Sequence, residues 1–158
     1  MIIPKNEQEA RDYDWFGVDG DGHVAHFTTA GCKYLPGSIG NSAEDLQRVT
    51  DYFDNEAPVL GAHKVDLESL AAFRGYSGEP DARYLASFVA MADKGLFSYD
   101  IETYVRPGIA YSRVAIPLCP IGLPQLPDDV RAIVERTVLK VVCFDAAPKV
   151  DYADTLSA

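Results

Sequence analysis

A chain of 158 residues, 47% hydrophobic and 24% charged, carries enough apolar material for one compact domain spanning residues 1–158, with no need of a metal or disulfide staple. The formal net charge of −10 argues against nucleic-acid and anionic membrane surfaces, which reward clustered lysine and arginine, and favours a basic partner. There is no run of about 18 apolar residues, and the start MIIPKNEQEARDYD lacks a hydrophobic segment before a small-residue cleavage site, so the expectation is a cytoplasmic protein without membrane span or secretory leader.

The polar run from Lys5 to Asp12 allows a short helix around Asn6 to Arg11. The stretch from Asp14 to Gly31, DWFGVDGDGHVAHFTTAG, then reads as a β-hairpin, two alternating runs around a Gly/Asp turn that tolerates positive φ. Taking Asp21-Gly22 as the turn pairs Phe16 with Phe27 and Val18 with Ala25 on a core-facing side. Trp15, Gly17 and His26 then fall on the other side, which this register leaves exposed.

Gly31 to Asn41, with Gly31, Pro36, Gly37 and Gly40, reads as an irregular connection. Ser42 caps an amphipathic helix to Glu56, with Leu46, Val49 and Phe53 inward and Glu44, Gln47, Arg48, Asp51 and Asp54 outward. A second helix runs from an Asp66 cap to Gly75, and a third from Pro80-Asp81 to Lys94-Gly95, its buried stripe including Leu85 and Phe88.

From Leu96 the hydrophobic period changes to two, giving a strand through Val105 and, around Pro107-Gly108, a second hairpin. Counting outward pairs Val105 with Ala110, Glu102 with Arg113 and Ile101 with Val114, and leaves an outward row of Asp100, Glu102, Tyr104 and Tyr111. Pro117, Pro120, Pro124 and Pro127 each lack a ladder donor, so this stretch leaves the sheet. A fourth helix runs from Pro127 to Arg136, and VLKVVCF, Val138 to Phe144, reads as a central strand that buries Val141 and Cys143. These elements predict an α+β domain ordered β-hairpin, helices, β-hairpin, helix, strand, with about five largely antiparallel strands and helices on at least one face.

The chemical motifs are few. Asp19 and Asp21 stand where a calcium loop has acids, but His23, Val24 and Ala30 occupy its fifth, sixth and twelfth positions, so the cluster is read as a turn. His23 and His26, three apart on a strand, project to opposite faces and cannot share an ion. Cys32, Cys119 and Cys143 are far apart, odd in number and lack CxxC spacing, which points away from a zinc site or disulfide framework. Phosphate-loop, dinucleotide, nucleophile-elbow and zincin motifs are absent. No catalytic residue, metal or cofactor is expected. One alternative stays open, a small enzyme or ligand-binding domain with a pocket near the Gly31–Gly40 loop, where Cys32 could meet a histidine.

Nine tyrosines, one tryptophan and the acid excess point to an aromatic and acidic contact surface, for which the candidates are Trp15, His26, Asp51, Asp54, Asp100, Glu102, Tyr104 and Tyr111. The hairpin DWFGVDGDGHVAHFTTAG, with the Gly/Pro loop and acidic helix that follow it, resembles the beginning of small bacterial immunity proteins of polymorphic-toxin systems. That resemblance implies a compact, cytoplasmic, non-enzymatic protein that neutralises a cognate toxin by covering it. It transfers no functional residue.

Overall fold

The computed structural model describes residues 1–31, 33–75, 78–102 and 109–158. A short helix, α1 (Lys5–Ala10), leads into a hairpin of β1 (Asp14–Asp19) and β2 (Val24–Thr28). The hairpin loop has three residues rather than two. Gly22 N–H donates to Asp19 O and Asp19 N–H to His23 O, both at 3.1 Å, and Gly22 takes φ 82°, the left-handed position that closes such loops. The extra residue shifts the register by one, so Trp15 faces Phe27, Phe16 faces His26 and Val18 faces Val24. The predicted Phe16–Phe27 and Val18–Ala25 pairs are therefore corrected, and the aromatic pair becomes Trp15 on Phe27, stacked at 4.1 Å between centroids.

The Gly31–Asn41 connection contains a single helical turn, α2 (Gly37–Gly40). Next comes α3 (Ala43–Asp51), whose cap is Ser42 accepting from Asp45 N–H, and it continues as a π-helical turn over Tyr52–Glu56. After β3 (His63–Val65), α4 (Leu67–Arg74) is capped by Asp66 and ended by Gly75 at φ 72°. Helix α5 (Ala82–Asp93) starts at Asp81, and Gly95, at φ 94°, turns the chain into β4 (Phe97–Ile101). A Cβ on Gly95 would meet Ile121 Cγ2 at 2.6 Å, so both conformation and space require glycine there.

Strand β5 (Ala110–Pro117) pairs with β4, Ile101 opposite Tyr111 and Tyr99 opposite Arg113, with a bulge between Ser98 and Tyr99. The two-residue Pro107-Gly108 loop had predicted Ile101–Val114 and Glu102–Arg113 pairs instead. Here β4 ends at Ile101 and β5 begins at Ala110; residues 103–108, with Tyr104 and the predicted Val105–Ala110 pair, lie outside the described residues. Chain order ends with α6 (Asp128–Val134), β6 (Val138–Leu139), β7 (Lys149–Asp151) and α7 (Tyr152–Leu156).

Among the described residues the fold is α+β, with a single mixed sheet of seven strands rather than about five largely antiparallel ones. Its order is β3-β5-β4-β2-β1-β6, and β7 adds to β5. The β2–β4 and β1–β6 pairs are parallel and the rest antiparallel. Parallel neighbours need a crossover, which α3, α4 and α5 supply between β2 and β4. The segment Val138 to Phe144 is not a central strand. It pairs only at Val138 and Leu139, Val141 is 84% exposed, and Cys143 is only half-buried. The chain bends there because Phe144 N–H is captured by Asp19 Oδ2 at 2.8 Å. Phe144 is thereby inserted against Phe27, Phe97 and Tyr99.

Both sheet faces are buried. Trp15, Ala25, Phe27, Tyr99 and Tyr111 pack on one side with Phe144, Val150 and Leu35. On the other, Phe16 and Val24 pack with Val49 and Phe53 below α3 and with Val130 and Val134 of α6. Phe88 and Ala92 of α5 cover Val114 and Ala115. Among the described residues no helix is long and apolar enough to cross a membrane.

Candidate functional site

Strand alternation and register together draw a polar seam across the helix-covered face. Asp14, Thr28, Asp100 and Ser112 stand in one cross-strand row, and Phe16, His26 and Ser98 in the next. Thr28 Oγ1 donates to Asp100 Oδ1 at 2.8 Å, and the Tyr84 hydroxyl, from α5, to Asp100 Oδ2 at 2.7 Å. The His26 ring is fully buried, its Nδ1 2.7 Å from Ser98 Oγ and its Nε2 3.2 Å from Asp14 Oδ1. That second approach is off line, so Nε2 is a buried nitrogen without a hydrogen bond. The order Asp–His–Ser imitates a hydrolase triad, but Ser98 is the sealed end and Asp14, 39% exposed, the open one. Ser98 is therefore not presented to solvent as a nucleophile.

The open end of the seam meets a groove of about 370 Å³ between α1 and α3, lined among others by Glu7, Asp12, Tyr13, Asp14, Gln47 and Thr50. Asp12 is held in place because its Oδ1 accepts Ala30 N–H at 2.7 Å, and Ala30 itself takes φ 49°. Desolvation in the groove raises the carboxyl of Asp12, an exposed residue, above its ordinary value; the Ala30 bond and His26 oppose this, and the Asp14 and Asp100 charges add to it. Glu7 is already engaged, by the Tyr13 hydroxyl at 3.0 Å and Arg11 at 3.3 Å.

The predicted contact residues are dispersed. Trp15, His26, Asp100, Glu102 and Tyr111 are all buried, which overturns the exposed face around Trp15 and His26 and the outward row on the second hairpin. The reason is that both faces of the sheet carry a layer, so alternation buries these positions whichever face they take, and on β1 only Asp14, at the strand's start, stays partly exposed. Trp15 Nε1 donates to the Tyr111 hydroxyl at 3.3 Å, joining two of these residues in the core. Tyr104 lies outside the described residues. Asp51 and Asp54 are exposed on the outer side of α3 and its π turn.

Two other clusters are accounted for by structure. Asp19, Asp21 and Cys143 bring one donor atom each within 4.8 Å of one another. However, Asp19 Oδ1 accepts the N–H groups of Asp21 and His23, and its Oδ2 that of Phe144, so the buried carboxylate serves the turn. His63 lies on β3 with Nδ1 2.8 Å from Asp93 Oδ1. Beside the Gly31–Gly40 loop lies a second groove, of about 360 Å³, lined by residues including Lys5, Tyr34, Leu35 and Leu156, with no histidine or cysteine in its lining among the described residues. Cys32 is outside them.

No family model, curated protein or solved structure matches this chain. Its site is therefore read from its own geometry. Asp12 and Asp14, which sequence reasoning passed over, stand at the mouth of the seam. Their signal was the Asp-x-Asp spacing leading into β1, with Asp14 one step out of parity with Trp15, and a correct register would have put Asp14 opposite Thr28 and on the same face as His26, diagonal to it.

Proposed function

We propose that this protein is a non-enzymatic binding protein that engages a basic protein partner through the acidic side formed by the α1–α3 groove and the outer surface of α3. Within that class the reading is an immunity protein that covers a cognate toxin. The observation that carries it is the distribution of charge on this side. Its arginines are already occupied, Arg11 by Glu7, Arg48 by Glu56 and Asp129, Arg136 by Asp45 and Arg131 by Asp128. Among the described residues no lysine or arginine forms an ion pair with Asp12, Asp14, Asp51 or Asp54. The net field there is negative, which steers a basic partner and weakens as salt screens it.

The sealed serine end of the Asp14–His26–Ser98 line supports binding over turnover. The test is co-expression with the product of the adjacent reading frame, followed by purification of the complex at low and high salt. The reading expects a complex that dissociates as salt rises. Two proteins that elute apart at every ionic strength would count against it.

A further inference from the structure

We infer that the groove between α1 and α3 is the receptor for one guanidinium or ammonium side chain of that partner, with Asp14 and Asp12 as its acceptors; this rests on the reading of this side as the binding surface. Three features converge on a cation carried by a methylene stem. The groove, at about 370 Å³, has room for a long side chain. Part of its lining is apolar, Ile3, Ala43 and Leu46, which suits the methylenes that lysine and arginine bury while keeping the charged head on polar groups. The lining also includes Asp12 and Asp14, neither of them paired with a lysine or arginine among the described residues, while its one arginine, Arg11, is paired with Glu7.

A second observation stands apart from the carboxylates. His26 is fully buried and its Nε2, without a hydrogen bond, is aimed at Asp14 from behind the groove wall. The ring is fixed by Ser98 at Nδ1, so it backs Asp14 without completing a bond to it, and the carboxylate is held near the groove with acceptor capacity to spare. The mutual repulsion of Asp12 and Asp14, which helps to raise the Asp12 carboxyl, is relieved when a cation lies between them. A metal ion is the poorer occupant. Among the described residues only Asp19, Asp21 and Cys143 gather donor atoms closely enough for one, and they lie outside the groove lining.

The test uses the whole chain, isotope-labelled, and follows amide shifts during titration with n-butylguanidinium and n-butylammonium, with n-butanol as the neutral control. Saturable shifts at Asp12, Tyr13, Asp14 and Thr50 are expected for the cations only, with Kd on the order of millimolar for so small a probe. Asp14→Asn is expected to weaken binding about tenfold, the loss of one charge-assisted contact. Glu68→Gln, on the exposed side of α4 and outside the groove lining, should leave it unchanged. Asp12→Asn keeps an acceptor for Ala30 N–H and should also weaken the cations, which supplies a folded variant if Asp14→Asn is unstable.

Equal response to n-butanol, or affinity indifferent to both groove substitutions, would overturn the assignment. Probe binding without complex formation in the co-expression experiment would refute the partner reading and leave the groove standing. A salt-sensitive complex whose affinity ignores Asp12→Asn and Asp14→Asn would do the reverse.

Discussion

Trp15 and His26 occupy adjacent levels of one hairpin but opposite faces of its sheet, and neither reaches water. Trp15 stacks on Phe27 and meets Tyr111 edge-on at 5.8 Å, so Trp15→Ala should cost about 3–5 kcal/mol in urea unfolding. As the sole tryptophan, it should also emit at short wavelength and resist quenching by acrylamide. A loss below about 1 kcal/mol would contradict its place in the core. Asp12 gives a pH test. Its carboxyl is raised in the folded state, so between the ordinary value of 3.8 and the raised one the folded chain binds more protons than the unfolded, and stability falls as pH rises through that window. Asp12→Asn keeps the Ala30 bond and removes the charge. It should be more stable than the parent near neutral pH, with the difference shrinking as pH falls toward 3.8, as urea midpoints at the two pH values would show. The raised carboxyl of Asp12 could not be read from sequence, because its desolvation in the groove depends on how α1 and α3 are placed.

At the scale of elements, signals confined to a few neighbouring residues were legible and those requiring distant partners were not. Ser42, Asp66 and Asp81 cap the helices predicted after them, and Gly75 and Gly95 take the left-handed positions at two helix ends. The first hairpin was legible as a hairpin, yet one more loop residue reversed the partner side chains, since β-structure alternates with every step. VLKVVCF has the composition of a central strand, but Asp19 captures Phe144 N–H and turns the segment out of the sheet. Arg113 shows another distant tie. Its Nε donates to Asp66 Oδ2 at 2.8 Å, and one Nη to the carbonyls of Phe144 and Asp145, linking β5, the α4 cap and the C-terminal segment. Arg113→Met should cost about 3–5 kcal/mol because it strands the buried Asp66 carboxylate, and adding Asp66→Asn, which can still cap α4, should restore part of the loss. No recovery in the double variant would remove the ion pair from this account.

For the whole molecule, composition and period were enough to indicate a mixed α and β domain, whereas the sheet order was beyond them. The parallel β2–β4 pair joins segments separated by three helices, and β3 and β7 are three residues each, too short to show alternation. That same pair creates the candidate site, since it sets His26 beside Ser98 and Thr28 beside Asp100. The acidic surface was partly legible. Asp51 and Asp54 follow from helical period, while Asp12 and Asp14 needed the fold. The central claim, that this acidic side binds and neutralises a basic partner, is tested most directly by growth of cells expressing the adjacent reading frame together with this protein. Wild-type protein and a Glu68→Lys variant, altered on exposed α4, should rescue growth, and Asp14→Asn combined with Asp51→Lys and Asp54→Lys should fail to do so while remaining folded. Absence of rescue by the wild type, or rescue by the triple variant equal to it, would contradict the account.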